Sequence, residues 1–274
     1  MRMKVYGNLL GIVIMVMFFV SGCGGLGGFS EEDILPISTS WHWQLQGSID
    51  PDLNVALYDI DLFETNTSFI ESLHQKGKIV VCYFSAGSYE SWRPDASEYS
   101  DKIIGEKVDG WPRERWVDIR HDELRAIIVA RLDLAKKKGC DGIEPDNVDG
   151  YLHETGFNFD AADQIDFNRF LADESHRRGL IVGLKNDLAQ IPQLVDYFDF
   201  ALNESCHRYH ECDLLQPFID AGKPVFNAEY SQKYVDDPEE RAALCADARA
   251  RSFQTLVLPK ALDGSFRYSC NDEF

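Results

Sequence analysis

The chain has 274 residues and carries 27 Lys and Arg against 46 Asp and Glu, a formal net charge of −19. So acidic a surface repels nucleic acid and anionic lipid, which excludes both as partners of the folded part, and attracts a polycation over long range. Hydrophobic residues make up 45% of the sequence, as in ordinary globular proteins, so the acidity could also serve solubility alone.

The first 22 residues have the features of an export signal. A basic start precedes an apolar run over residues 9–20, which is shorter than the about 20 residues of a membrane span. A Ser-Gly pair then precedes Cys23, an arrangement that resembles the lipobox of bacterial lipoproteins. The resemblance implies cleavage before Cys23, a lipid on its thiol and a glycine-rich flexible tether over residues 23–38. An ordinary signal peptide is the alternative.

Residues 39–274 alternate apolar runs with amphipathic segments, which predicts one α/β domain. Eight apolar runs are strand candidates: Trp41–Leu45, Val55–Ile60, Lys78–Phe84, Gly139–Pro145, Leu180–Leu184, Phe198–Leu202, Pro224–Ala228 and Thr255–Leu258. Five amphipathic segments are helix candidates: Thr67–Lys76, Asp122–Lys138, Ala161–Arg178, Leu214–Ala221 and Glu239–Arg251. Strands and helices that alternate over this length predict a single (β/α)8 TIM barrel. An open doubly wound sheet is the alternative, although its usual glycine-rich turn after the first strand is absent.

A long stretch over residues 85–119 separates the third predicted strand from its helix. A loop of this length after a strand is uncommon and is often functional. In a barrel it lies on the face where active sites are built.

Six cysteines follow the predicted cleavage site, and an even number in an exported protein indicates disulfides. Cys206 and Cys212 enclose a short polar loop and are the first predicted pair. Cys245 with Cys270 is the second, since it would tie the C-terminal tail to the last helix.

The remaining cysteines, Cys82 and Cys140, lie in or beside predicted strands and are expected to be buried free thiols. The histidines within residues 206–212 allow a zinc site as a minor alternative to the disulfide. Their spacing matches no usual ligand pattern, so neither a metal nor another cofactor is expected.

Ionisable and amide side chains follow most of the predicted strands, at ends that meet on one rim of a barrel. They are Asp59, Glu144, Asp146, Asn147, Lys185, Asn186, Asn203, Glu204 and Glu229. A carboxylate-lined pocket with aromatic walls suits glycoside hydrolysis, where one carboxylate attacks or activates water and another protonates the leaving oxygen. Clustered acidic groups could instead hold Mg²⁺ or Ca²⁺, or merely close the barrel through caps and salt bridges.

Longer strings carry a closer resemblance. They are VCYFSAGSYESWRPD at 81–95, WVDIR at 116–120, CDGIEPDNVDGY at 140–151, GLKND at 183–187, NESC at 203–206 and AEY at 228–230. In this order they resemble glycoside hydrolase family 114, the endo-α-1,4-polygalactosaminidase family, over nearly all of residues 39–270. The resemblance implies a TIM barrel that cleaves α-1,4-linked galactosamine-containing polymers.

By the same resemblance, Asp146 matches the family's aspartate after the fourth strand, and Glu204 matches its glutamate after the sixth. They are the predicted catalytic pair of a retaining enzyme, with Asp146 as nucleophile or base and Glu204 as general acid/base. The predicted substrate-binding residues are Trp41, Asp59, Tyr83, Glu144, Asn147, Tyr151, Lys185, Asn186, Asn203, Glu229 and Tyr230. Glu144 competes with Asp146, because strand alternation places both on one face, but it lies deeper and suits a supporting role.

The expected partner is thus a cationic amino-sugar polysaccharide, and this substrate gives the acidic surface a use in steering. A monomer anchored by lipid to the bacterial cell envelope, at the outer membrane or cell surface, is expected. Two alternatives remain: a sugar-binding surface lipoprotein without turnover, and a hydrolase of another α-linked glycan.

Replacement of Cys23 by alanine tests the export prediction. Cys23→Ala removes the thiol that would carry the lipid, so we expect the protein to move from the membrane fraction to a soluble or unprocessed form. Metabolic labelling with a fatty acid, followed by fractionation, measures this. A variant that still takes up label would show the lipobox interpretation to be wrong.

Overall fold

The structure, a computed structural model, describes residues 35–271 and is built around a curled sheet of parallel strands. In chain order these are β1 (Trp41–Gln44), β2 (Leu57–Asp61), β3 (Ile79–Ser85), β4 (Gly142–Asp146), β5 (Ile181–Lys185), β6 (Phe200–Glu204), β7 (Val225–Glu229) and β8 (Gln254–Val257). Each pairs in parallel with the next along the chain. The Trp41 indole links the two ends of the sheet, since its Nε1 donates to the Gln254 carbonyl at 2.8 Å. The predicted TIM-barrel fold is confirmed.

Helices cover the outside of the sheet. In the described part of the chain they are α1 (Thr67–Gln75), α2 (Asp122–Lys138), α3 (Ala161–Arg177), α4 (Ile191–Leu194), α5 (Cys206–Tyr209), α6 (Gln216–Asp220), α7 (Gln232–Asp236) and α8 (Pro238–Ala250). Short 3₁₀ turns occupy residues 96–98, 150–152, 188–190 and 212–215, and a short final strand, Tyr268–Ser269, pairs antiparallel with β8. Within residues 35–271, no helix is both long and apolar enough to span a bilayer.

Capping interactions and a left-handed glycine define the ends of the long helices. Asp160 caps α3 in a reciprocal box with Asp163, so backbone N–H groups that the first turn leaves open are satisfied. At the end of α2, Gly139 adopts a left-handed conformation with φ of 90°, which a side chain would disfavour. The chain can therefore turn back so that the Cys140 N–H donates to the Ala135 carbonyl.

Two apolar layers follow from the alternation of side chains along the strands. Outward-facing residues pack under the helices, and inward-facing aromatic side chains such as Trp41, Phe200 and Phe226 fill the barrel. Gly183 belongs to this interior, and a Cβ there would come within 2.2 Å of the Phe200 ring. A glycine is therefore needed on β5 for the ring to pack.

The stretch between β3 and α2 is not a loop. Its residues 86–118, the inserted sheet, contain three antiparallel strands: Ser88–Glu90, Ile104–Val108 and Trp111–Val117. Their pairing could not be read from the sequence, because the short strands carry charged and polar residues instead of an apolar run.

Two buried arginines fasten the inserted sheet to the barrel. Arg93 donates to both oxygens of Asp61, at 3.0 and 2.7 Å, and its Nε donates to Glu90 at 2.8 Å. Arg131, on α2, makes a similar two-pronged contact with Asp95 at 2.7 and 3.0 Å. Paired, planar contacts of this kind fix orientation as well as distance.

The N-terminal boundary of the domain differs from the prediction. Residues 1–34, with the predicted signal, Cys23 and most of the tether, lie outside the described residues. Residues 35–38 belong to the predicted tether, yet Leu35 is buried in the barrel-interior cluster and the Gln254 side chain donates to the Ile37 carbonyl at 2.9 Å. The folded domain therefore includes these four residues, because Leu35 supplies apolar cover to the barrel.

Three disulfides are present, and two of them, Cys206–Cys212 and Cys245–Cys270, are those predicted. The expectation of free thiols at Cys82 and Cys140 is wrong, because these residues form the third disulfide. Cys82 lies on the outward face of β3 and Cys140 just precedes β4. The pairing of neighbouring strands thus brings them together across 58 residues of sequence.

Removal of the long-range disulfide should cost more stability than removal of the short-range one. By loop-closure entropy, Cys82→Ala/Cys140→Ala should lower the free energy of unfolding by about 4 kcal/mol, and Cys206→Ala/Cys212→Ala by about 2 kcal/mol. Urea unfolding of the two double variants measures the difference. An equal or reversed order would show that native-state packing, not the unfolded chain, governs their contribution.

Candidate active site

Lys185, the last residue of β5, lies at the centre of the site with only 2% of its side chain exposed. Its Nζ is 3.1 Å from Glu144 Oε1, 3.0 Å from Asp146 Oδ1 and 3.3 Å from Glu204 Oε2, and 4.9 Å from the centre of the Trp43 ring. Burial opposes the ammonium charge, but the carboxylates, Asp146 foremost, outweigh it and raise the pKa of Lys185 well above its usual range. One cation therefore holds three acidic groups together.

Asp146 is fixed by two further donors. The Tyr83 hydroxyl donates to Oδ2 at 3.2 Å, and the Asn147 backbone N–H donates to Oδ1 at 2.7 Å. With Lys185 on the same Oδ1, the carboxylate plane is held in one orientation at the mouth of the barrel.

Glu204 receives a matching set of contacts. The Tyr230 hydroxyl donates to Oε1 at 2.5 Å, and the Asn186 side chain donates to Oε2 at 3.4 Å. Burial, and then the Glu204 charge, raise the pKa of Tyr230 well above its usual range, so the phenol keeps its proton. Asn186 in turn accepts from the Glu204 backbone N–H and from Asn203, so Asn203 supports the site from behind.

The chain turns sharply just after β4, β5 and β6. Asn147, Asn186 and Ser205 directly follow these strands and have left-handed conformations, with φ of 59°, 49° and 66°. Such conformations cost energy for residues other than glycine and cluster at functional sites. Gly87 packs so closely that a Cβ there would lie 1.7 Å from the Asn147 carbonyl oxygen. These turns leave the last side chain of each strand facing the mouth.

A second pair of acidic groups lies deeper in the barrel than Asp146 and Glu204. Asp59 and Glu144 are both fully buried. Burial raises the pKa of Asp59 to about 7, and burial together with the Asp59 charge raises the pKa of Glu144 well above its usual range. Glu144 contacts Lys185 as an ion pair, and its carboxyl also lies within hydrogen-bond reach of Asp59. The two carboxyls therefore retain a proton between them at neutral pH.

Trp41 does not reach this cluster. It is buried lower in the barrel, where its indole N–H donates to Gln254. Trp43, two residues further along β1, is the aromatic residue beside Lys185. Trp43 is not among the predicted binding residues, although the shared parity of the two tryptophans places both inside the barrel.

Two further predicted residues also lie apart from Lys185. Tyr151 is partly exposed on the loop after β4, where burial and the nearby Asp187 carboxyl raise its pKa to about 12. Glu229 is buried, and its Oε1 accepts from the His207 backbone N–H at 2.9 Å. Glu229 therefore contacts the backbone of α5, on the outside of β7.

The inserted sheet contributes an acidic group that the sequence analysis did not single out. Glu114 is 8% exposed, and its Oε2 accepts from the Ser88 hydroxyl at 3.0 Å. Burial, and then the Glu90 charge, raise the pKa of Glu114 to about 7, with a smaller contribution from Asp146. No local motif marks Glu114, because only the fold of the inserted sheet brings it near β4.

Among the described residues, Cys206, His207 and Cys212 lie close enough to be considered as metal ligands. The two sulfurs are bonded to each other, however, and a thiolate is needed for a metal. This group is therefore the disulfide that closes α5.

The described geometry is that of a carboxylate site on a TIM-barrel rim. A sequence model of Glycoside-hydrolase family GH114 matches residues 30–274. The chain belongs to glycoside hydrolase family 114. It is therefore a glycoside hydrolase, and Asp146 and Glu204 are the accessible carboxylates of its central cluster, with 21% and 32% of their side chains exposed.

Two solved structures are similar to this chain. Ega3 of Aspergillus fumigatus, crystallised in complex with galactosamine, is 37% identical over 89% of this family 114 chain and 99% of that chain, with a TM-score of 0.83. The glycoside hydrolase domain of PelA from Pseudomonas aeruginosa has a TM-score of 0.65 at 16% identity, over 84% of this chain and 97% of that one. At that identity the second likeness concerns the fold alone.

A curated relative is more distant. An uncharacterized protein of Thermotoga maritima is 23% identical over 158 residues, which cover 53% of this chain and 48% of that protein. The chain thus matches about half the length of this relative.

The buried acid pair predicts a dependence of stability on pH. In the folded protein Asp59 holds its proton to about pH 7, whereas in the unfolded chain it loses the proton at about pH 3.9. Wild-type unfolding free energy should therefore fall as the pH rises through this window, by about 3 kcal/mol between about pH 5 and about pH 8. Asp59→Asn removes this contribution, so its advantage over the wild type should grow with pH.

Urea unfolding at both pH values measures the effect, with the exposed Asp101→Asn as the control. The control should show the same pH slope as the wild type. If Asp59→Asn also shows that slope, Asp59 does not hold the proton.

Proposed function

We propose that this enzyme cleaves internal bonds of α-1,4-linked galactosamine-containing polysaccharide with retention of configuration. The observation that carries the proposal is the convergence of Asp146 and Glu204 on one lysine at the mouth of a family 114 barrel. Ega3, crystallised with galactosamine and 37% identical to this chain, supports an amino-sugar substrate.

The spacing of the carboxylates supports retention. The Asp146 and Glu204 oxygens nearest Lys185 lie 3.0 and 3.3 Å from its nitrogen. These two oxygens can therefore be no further apart than the sum of the two distances. Such closeness suits the about 5–5.5 Å separation of the carboxyl groups in retaining enzymes.

The proposed reaction has two steps. The Asp146 carboxylate attacks the anomeric carbon as Glu204 protonates the leaving oxygen, so the glycosidic bond breaks and a glycosyl ester forms. Glu204, now ionised, then takes a proton from water, whose oxygen attacks the same carbon and releases Asp146. Glu204 has the larger exposed fraction of the two, which suits the group that exchanges protons with water.

The acidic surface supports a cationic polymer as substrate. With a net charge of −19, the protein would draw a partly deacetylated galactosamine chain towards it by long-range attraction. Hydrolysis of another α-linked glycan is the second candidate. A sugar-binding protein without turnover has no need for two opposed carboxylates, which disfavours that alternative.

Export, anchorage to the cell envelope through a lipid on Cys23, and a monomeric state belong to the same proposal. The N-terminal sequence supports export and anchorage.

Digestion of purified galactosamine polymer tests the function. Wild-type protein should release reducing ends and internal fragments, detectable by mass spectrometry, and the α-anomer should appear first by NMR. Asp146→Asn and Glu204→Gln should fold normally and each lose at least about 100-fold in turnover, since each removes an essential step.

Glu144→Gln, a buried neighbour of the same chemistry, is the matched control and should lose less. An active Asp146→Asn beside an inactive Glu144→Gln would identify Glu144 as the reacting carboxylate. Cleavage of neutral α-glycans alone would favour the second candidate.

A further inference from the structure

The inserted sheet presents one buried acidic side chain beside the active site. On the strand Trp111–Val117, Glu114 and Trp116 are buried, whereas Arg113 and Arg115 are exposed. This alternation places Glu114 on the covered face of the sheet. Its carboxylate is therefore held by the fold and is not part of the general acidic surface.

Hydrogen bonds connect Glu114 to the catalytic level. Ser88 donates to Glu114 Oε2 at 3.0 Å, and the hydroxyls of Ser88 and Ser85 lie 2.6 Å apart. The Asn147 side chain donates to Ser85 at 2.8 Å, and the Asn147 backbone donates to Asp146. Glu114 thus lies three side chains from the proposed nucleophile.

In the part of the chain that the structure describes, no cation forms an ion pair with this carboxyl group, although the charge of Arg93 lowers its pKa slightly. Arg93 is the nearby candidate, but its three guanidinium nitrogens donate to Glu90 and Asp61. Ser88 satisfies Oε2, while Oε1 has no donor among residues 35–271 and is not sealed from solvent. Burial without a paired cation disfavours the charged form of this carboxyl group, and an incoming ammonium would stabilise the ionised carboxylate.

We propose that Glu114 binds the ammonium group of a galactosamine unit next to the cleavage point and so selects deacetylated over N-acetylated polymer. The assignment rests on the proposed function. An ammonium would donate a charge-assisted hydrogen bond to Oε1. An acetamido group carries no charge and offers one N–H, so it would gain less from the same carboxylate.

The test compares kcat/KM on two α-1,4-galactosamine oligomers of equal length, one fully deacetylated and one fully N-acetylated. For full-length Glu114→Gln, the ratio of deacetylated to acetylated activity should fall about tenfold from the wild-type ratio. Glu106→Gln removes an exposed carboxylate from the neighbouring strand of the same sheet, and its ratio should equal that of the wild type.

Glu114→Asp separates charge from shape. It keeps the carboxylate and should retain more of the preference than Glu114→Gln; equal loss in both variants would overturn the proposal. If thermal unfolding shows that Glu114→Gln is destabilised, the comparison of Glu114→Asp with the wild type still tests the proposal. Equal losses of Glu114→Gln on both oligomers would mean that Glu114 only positions Ser88, and would likewise overturn it. A wild-type protein inactive on both would instead refute the proposed function, and this assignment with it.

Discussion

One buried ammonium determines how the mouth of this barrel is arranged. Lys185 contacts Glu144, Asp146 and Glu204, and without it the negative charges of these acids would repel one another. A single positive charge cannot balance every nearby carboxyl, so the deeper pair of Glu144 and Asp59 keeps a proton. The ammonium then remains available to the two groups that can meet a substrate.

Much of this site could be predicted from the order of residues along the strands. In a parallel barrel, strand ends meet on one rim, and side chains two residues apart share a face, which brings Asp146 and Glu204 together. The same parity argues against Glu229, because the neighbouring Tyr230 is the residue that contacts Glu204. The choice between Trp41 and Trp43 required the depth at which β1 ends, and a shift of two residues in that end changes it.

Other features depend on contacts that no local pattern carries. The Cys82–Cys140 disulfide follows from the alignment of β3 with β4, which is a long-range property. Glu114 is near the site only because charged and polar residues of the insertion pair as strands. Their stability comes from the barrel beneath them, through Arg93 and Arg131, so the sequence of the insertion alone is typical of a loop.

These two arginines also decide how the insertion behaves during turnover. To swing the inserted sheet away, the protein would have to separate Arg93 from Asp61 and Arg131 from Asp95, leaving arginines that are almost wholly buried without their counter-ions. The insertion is therefore a fixed wall and not a gate. On the proposed function, a polymer would meet this wall already in its working position, and no opening of the inserted sheet would have to precede cleavage.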